Sequence, residues 1–281
     1  MTHDLPPLDA VERLLHIMRR LRDPDSGCPW DLQQSFATIA PHTLEEVYEV
    51  IDAIESGDME QLRGELGDLL FQVVFYAQLG TEAQLFDFND IAAGIGTKLL
   101  HRHPHVFPSG SLEVNTRAPE LSADQVVQNW EAIKTAERQH KQGNKPGSAL
   151  DDVPLALSSL LRAVKLQKRA AGQGFDWRDT EGVFAKVEEE LAELRQALKA
   201  TDQAAVEEEF GDLMFTLVNL SRHLDLNPES ALRAANRKFE ERFRSMEEEL
   251  RRAGRDMRDL NDSELDNYWN NAKLAGKNPS A

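Results

Sequence analysis

Five acidic side chains in the first half of the chain, Glu45, Glu46, Glu49, Glu65 and Asp68, recur in the second half as Glu189, Glu190, Glu193, Glu209 and Asp212. The offset is constant at 144. On an α-helix, residues three apart share a face, so Glu46 points with Glu49 and Glu65 with Asp68. The turn signal Glu55-Ser-Gly-Asp58, with Asp58 as N-cap and Gln61 three residues on, predicts an antiparallel hairpin between the two pairs. Four carboxylates gathered by such a hairpin repel one another and resist ionising together. A bound cation relieves that repulsion. The donors are all hard oxygens, which suits Mg²⁺, with Mn²⁺ as a substitute, rather than zinc.

A single Glu-rich helix is ordinarily a solvated face. Two features favour a metal site over that reading. Glu65 and Asp68 lie among Leu66, Leu69, Leu70, Phe71, Val73, Val74 and Phe75, which predicts a helix buried on nearly every side, and buried carboxylates need partners. The same five acids also persist in a copy that has otherwise diverged.

A ligand shared with Mg²⁺ is expected to be a phosphate chain, and phosphates need protein cations. Lys98 and Arg102 lie four apart and recur as Lys238 and Arg242; Trp130 and Lys134 recur as Trp269 and Lys273. Lysine and arginine neutralise phosphate oxygens, and an indole face stacks on a base or holds a cation. Taken singly, each pair reads more readily as a helix surface or a core tryptophan than as a binding group; duplicated beside the acids, the binding reading gains. The halves differ at one position: Lys186 precedes Glu189 and Glu190, whereas its counterpart is His42. A lysine is charged at neutral pH and an unperturbed histidine mostly is not. The second half is therefore the expected seat of catalysis.

Helical periodicity predicts the elements that must position these groups. In the first half they run over about 9–22, 42–56, 59–80, 88–102 and 122–141. In the second they run over about 154–171, 180–199, 203–224, 228–253 and 263–274. Residues 23–31 read as an irregular loop, in which Trp30 is either a binding group or a core plug; Phe175-Asp-Trp177 is its partner. The segment 101–122 reads as a long loop. Its alternating His101, His103 and His105 make a weak zinc motif, interrupted by Pro104 and without nearby cysteine. No alternating strand pattern appears, so the expected fold is all-α. Two helical-bundle domains related by internal duplication are expected at 1–143 and 154–281, joined by a linker at 144–153.

Composition narrows the class. A net charge of −17 argues against general binding to nucleic acid or an anionic membrane surface. The lone Cys28 excludes an intramolecular disulfide and points to a reducing cytoplasm. No apolar run reaches membrane-spanning length. The apolar stretches 69–75 and 213–220 suggest helices buried on more than one side, consistent with association across a two-fold axis.

The motifs CPWD (28–31), EEVYE (45–49), ELGD (65–68), KLLHRHPHVF (98–107), GFDW (174–177), EELAE (189–193), EFGD (209–212), NRKFEERF (236–243) and YWNNAK (268–273) closely resemble the tandem-domain MazG family of nucleoside triphosphate pyrophosphohydrolases. The resemblance implies hydrolysis of a nucleoside triphosphate between its α and β phosphates, giving a monophosphate and pyrophosphate. It further implies Mg²⁺ dependence, broad base tolerance, a homodimer, and a role in nucleotide-pool cleansing or stress response. It makes Glu190, Glu193, Glu209 and Asp212 metal ligands, with Glu46, Glu49, Glu65 and Asp68 as the matching first-half set. Lys186, Lys238, Arg242, Trp269 and Lys273 would contact nucleotide. The segment Ala204-Ala205-Val206 departs from the family pattern in lacking a lysine.

The expected reaction is metal-assisted hydrolysis, with Glu189 or Glu193 taking a proton from water, and Lys186, Lys238 and Arg242 stabilising charge on the departing phosphates. Two other classes compete. A di-iron carboxylate bundle wants Glu-x-x-His, and here the fourth position is Asp68 or Asp212. A metal-stabilised dimerisation scaffold would carry the acids without turnover.

Overall fold

The computed structural model describes residues 9–112, 121–142 and 147–275. Eleven α-helices and one 3₁₀ turn make up the regular structure of these residues, and among them there is no strand. The chain divides into two compact units, Met1–Gly143 and Asn144–Ala281.

In the first unit, α1 (Ala10–Leu21) and the short α2 (Pro29–Gln33) precede a long hairpin of α3 (Phe36–Ser56) and α4 (Met59–Glu82). α5 (Phe88–Arg102) and α6 (Ala123–Gln142) follow. α4 is the central element, packing against α3, α1 and α5, while α6 packs on α5. The core joins Met18 of α1, Ile39 of α3, and Val74, Phe75 and Leu79 of α4, flanked by Leu14, Leu15, Phe71, Tyr76 and Phe88. These positions recur every three or four residues, so each helix turns one apolar stripe inward. Arg22, at the end of α1, clasps Glu82 at the end of α4 through hydrogen bonds of 2.8 and 2.6 Å and lies over the Phe75 ring.

The second unit repeats the plan with α7 (Ser159–Ala171), the hairpin α8 (Thr180–Ala200) and α9 (Gln203–His223), α10 (Pro228–Ala253) and α11 (Asp262–Ala275). α9 packs on α8 and α7, and α10 packs on α7 and α11. Val183, Ala197, Val218, Met246 and Leu250 are among its buried apolar residues.

The expected hairpin turns are present. Asp58 caps α4 by accepting from the backbone N–H groups of Glu60 and Gln61, and Asp202 caps α9 by accepting from Ala204 and Ala205. Ahead of each cap the chain turns through the left-handed region. Gly57 does so at φ 76°, and its counterpart Thr201 at φ 55°. Glycine adopts that conformation freely; a β-branched threonine does not.

Three expectations change. α3 starts at Phe36, not near 42, because Ser35 and Thr38 form a reciprocal capping box and Pro41 is carried inside the helix. Residues 23–31 do not form one irregular loop: Pro29 opens α2, Asp31 is buried, and Trp30 is 52% exposed, so it does not plug the core. α7 starts at Ser159 rather than 154, with the Ser158 hydroxyl accepting from the Leu161 N–H. Residues 113–120, within the expected long loop, and 143–146, where the expected linker begins, lie outside the described residues.

Candidate metal and nucleotide site

Each hairpin brings three glutamates together. Glu46 and Glu49 of α3 and Glu65 of α4 each offer a carboxylate oxygen, and these oxygens lie within 4.8 Å of one another. Glu190 and Glu193 of α8 and Glu209 of α9 do the same. Neither Asp68 nor Asp212 joins its triad, so three carboxylates converge where four were expected. Both aspartates are exposed. Asp212 nevertheless acts on its triad through its charge, since it is one of the groups that raise the pKa of Glu209.

The electrostatics carry the signature of crowding. Desolvation, then the charges of Glu65, Glu46 and Glu45, push Glu49 above the ordinary carboxylate range. Desolvation, then Glu193, Glu190, Asp212 and Glu208, do the same to Glu209. Glutamates raised by their like neighbours in both hairpins are what a divalent cation would relieve, and an all-oxygen donor set fits Mg²⁺ or Mn²⁺.

The two triads are neutralised differently. In the first, the Gln72 side-chain amide donates to Glu46 at 3.4 Å and that of Gln61 to Glu65 at 3.4 Å, both neutral donors. His42 approaches Glu45, not a triad member, at 3.7 Å, with the exposed Trp30 ring 6.0 Å from the imidazole. In the second, the Lys186 ammonium lies 2.6 Å from Glu190 and 2.8 Å from Glu189. Those two hydrogen bonds hold Lys186 charged, above the usual lysine range. Glu190 is buried, at 4% exposure, so this ion pair is partly withdrawn from water. The residues matching Gln72 and Gln61 are Thr216 and Ala205, neither of which carries an amide.

The faces beside the triads also differ. A shallow groove of about 580 Å³ runs along α3, lined by Pro41, Leu44, Glu45, Tyr48, Glu49 and Asp52. The matching α8 positions are Ala185, Glu188, Glu189, Ala192, Glu193 and Gln196, which replace its apolar wall with small and acidic side chains. The helix segments around Glu65 and Glu209 are not buried as the apolar run predicted. Leu66 and Leu70 are 49% and 41% exposed, and Phe210, Met214 and Phe215 are 54%, 42% and 44% exposed. Within α4, burial sets in only at Gln72 and beyond.

The basic groups separate likewise. Arg102 grips Glu137 of α6 through two hydrogen bonds, 2.6 and 3.2 Å, and His101 adds a third at 3.2 Å. The arginine hydrogen bond holds Glu137 down to about 2. Nothing in the spacing of the chain announces Glu137, which pairs across 35 residues. Among the described residues, Lys238 and Arg242 enter no ion pair, and Lys98 is exposed. Lys134 lies 4.2 Å above the Trp130 ring and Lys273 lies 5.9 Å from that of Trp269, so the two tryptophan–lysine pairs are cation–π contacts. Trp130 packs against His103 at 6.1 Å, whereas Trp269 packs against Phe239 at 5.4 Å. His103 and His105 stand 5.7 Å apart, and the described metal-competent clusters contain no histidine.

The MazG nucleotide pyrophosphohydrolase domain matches twice, over residues 34–107 and 178–246. Each match covers a complete acidic hairpin and stops short of the tryptophan–lysine helix. A nucleoside triphosphate pyrophosphohydrolase of Escherichia coli is 51% identical over 270 residues, covering 95% of this chain and 98% of that protein. The nucleoside triphosphate pyrophosphohydrolase/pyrophosphatase MazG of Thermotoga maritima is 43% identical over 262 residues, covering 93% of this chain and 95% of its own length. A Mycobacterium tuberculosis nucleoside triphosphate pyrophosphohydrolase is 34% identical over 171 residues, 60% of this chain and 48% of that one. With the domain found in both halves and likeness along nearly its whole length, the chain belongs to the MazG nucleotide pyrophosphohydrolase family.

Proposed function

We propose that the chain hydrolyses nucleoside triphosphates to monophosphates and pyrophosphate, and that the second unit carries the reaction. The observation that supports this most is the glutamate triad, built twice on matching hairpins of a MazG-family chain; among the described residues Lys238 and Arg242 enter no ion pair, whereas Arg102 of the matching pair is held by Glu137.

In this reading Glu190, Glu193 and Glu209 hold Mg²⁺, or Mn²⁺ in its place, with Asp212 beside them. Glu46, Glu49 and Glu65 form the matching first-unit site, with Asp68 nearby. When bound, the cation supplies Lewis-acid polarisation of a phosphate oxygen and eases ionisation of water. The chain's own groups do the rest. Lys238 and Arg242 bind the β and γ phosphates and stabilise the charge that builds as pyrophosphate departs. Glu189 or Glu193 accepts the water's proton. Trp269 and Lys273 bind the base and sugar side of the nucleotide. Lys98, Arg102, Trp130 and Lys134 are the corresponding first-unit contacts, of which Arg102 is engaged by Glu137.

Stacking on an indole is tolerant of base identity, which supports broad base specificity and a role in nucleotide-pool cleansing or stress response. The apolar side chains exposed on α4 and α9 support a homodimer, checked by the mass in solution at micromolar concentration. Among the described residues no helix is long and apolar enough to cross a membrane. The lone free Cys28 supports a cytoplasmic location.

Product analysis tests the reading. Incubation with mixed nucleoside triphosphates and Mg²⁺ should yield monophosphate and pyrophosphate in equal amounts, with none in EDTA. Nucleoside diphosphate and inorganic phosphate would place the cleavage at the other anhydride. Absence of turnover would leave a binding scaffold.

A further inference from the structure

Lys186 occupies an unusual place for a phosphate-binding lysine. Its ammonium is not extended into solvent but is hydrogen-bonded into the carboxylate cluster, 2.6 Å from buried Glu190 and 2.8 Å from Glu189. Glu190 is also a member of the triad that could hold a cation. One carboxylate thus faces two claimants, a lysine on its own helix and a divalent ion. The first unit has no such competitor, because His42 stands at the matching position and reaches only Glu45, while the neutral Gln72 serves Glu46.

We propose that Lys186 is a built-in counter-ion that competes with the divalent cation for Glu190 and is released toward the substrate phosphates when that cation binds. The inference rests on the metal reading of the triad given above. An ammonium 2.6 Å from a carboxylate oxygen would stand within a few ångströms of a doubly charged ion on the same group, and that repulsion is poorly screened beside a buried side chain. The lysine stem is four carbons long and flexible, so its ammonium can leave Glu190 for a nearby anion without moving the helix. A triphosphate arriving with the cation offers that anion. Cation and nucleotide binding are then positively coupled through one side chain, and the coupling must be reciprocal. Without substrate the lysine occupies Glu190 and the second site takes up a divalent ion weakly; with substrate the competitor is drawn off. The first site lacks this gate.

The test measures Mn²⁺ binding to the full chain by electron paramagnetic resonance. Glu46→Gln and Glu49→Gln are introduced first, so that only the second site is read. Without nucleotide, Lys186→Met should bind Mn²⁺ about five- to tenfold more tightly than the lysine parent, within the usual range of such couplings. Adding a non-hydrolysable triphosphate should tighten Mn²⁺ in the parent by a larger factor than in Lys186→Met. A lysine that only contacts phosphate would leave nucleotide-free Mn²⁺ affinity unchanged, and that result, or weaker binding, overturns the proposal. Lys186→Gln keeps a polar side chain without the charge and should behave as Lys186→Met does; circular dichroism shows whether either variant retains its helices. If the parent itself binds no Mn²⁺, the metal reading falls, and this inference with it. If the parent binds and neither variant binds more tightly, this inference alone falls.

Discussion

The two units hold the same three glutamates on the same kind of hairpin, yet they surround them with opposite partners. In the first, neutral amides from Gln72 and Gln61 serve Glu46 and Glu65, and Arg102 of the matching basic pair is locked to Glu137. In the second, a lysine lies among the acids, and Lys238 and Arg242 enter no ion pair among the described residues. Both units thus keep the acids and the basic pairs, and differ in what those basic groups meet and in His42 against Lys186. In the proposed reading the acid triad holds a cation, and positive groups free to meet the phosphates turn it toward triphosphate hydrolysis.

The sharpest way to break this comparison is to remove the matching arginines. Arg242→Ala should lower pyrophosphate release by about 10²-fold, the scale of losing one donor to developing charge. Arg102→Ala should change the rate less than about threefold. It should instead weaken the first unit, because Glu137 loses its partner. The contrast is also legible in pH. Glu137 is held down to about 2 against an ordinary 4.5, so its ion pair contributes fully above pH 4.5 and is lost as pH falls toward 2. Arg102→Ala should abolish that part of the acid dependence of unfolding, followed by circular dichroism.

A smaller effect is expected at the aspartates. Asp212 lies outside the second triad but raises the pKa of Glu209, so Asp212→Asn should cost about 10- to 100-fold in rate, as supporting groups around metal ligands commonly do. Asp68→Asn should cost little. If Asp212→Asn equalled the loss from Glu193→Gln, the aspartate would be a ligand and the triad a tetrad.

The smallest difference is conformational. Gly57 and Thr201 make the same left-handed turn, and only the second is strained by its side chain. Thr201→Gly should therefore stabilise the second unit by about 0.5–1 kcal/mol, allowing for glycine's greater freedom in the unfolded chain. Gly57→Thr should destabilise the first by a similar amount. Thermal melts of both variants measure the pair.

Much of this was legible before the structure. Spacing alone placed Glu46 with Glu49 and carried both across a turn to Glu65, because helical periodicity and the Asp58 cap leave few other geometries. Asp68 stands outside the cluster, although it follows Glu65 by the same three positions that bring Glu49 to Glu46, so spacing does not separate the two pairs. The apolar run after Glu65 misled for a different reason. Leucines at 66 and 70 look buried from composition, but in a single chain they face outward, since nothing in a sequence separates a core face from one another chain would cover. Pairings such as Arg102 with Glu137 and Gln72 with Glu46 were invisible. They join different helices and leave no periodic trace.

The most direct measurement compares pyrophosphate release when each triad is neutralised separately. Glu190→Gln with Glu193→Gln should reduce turnover at least about 10³-fold, with the helical circular dichroism unchanged. Glu46→Gln with Glu49→Gln should leave more than half the rate. Equal losses from both pairs, or near-normal turnover without Glu190 and Glu193, would contradict the account.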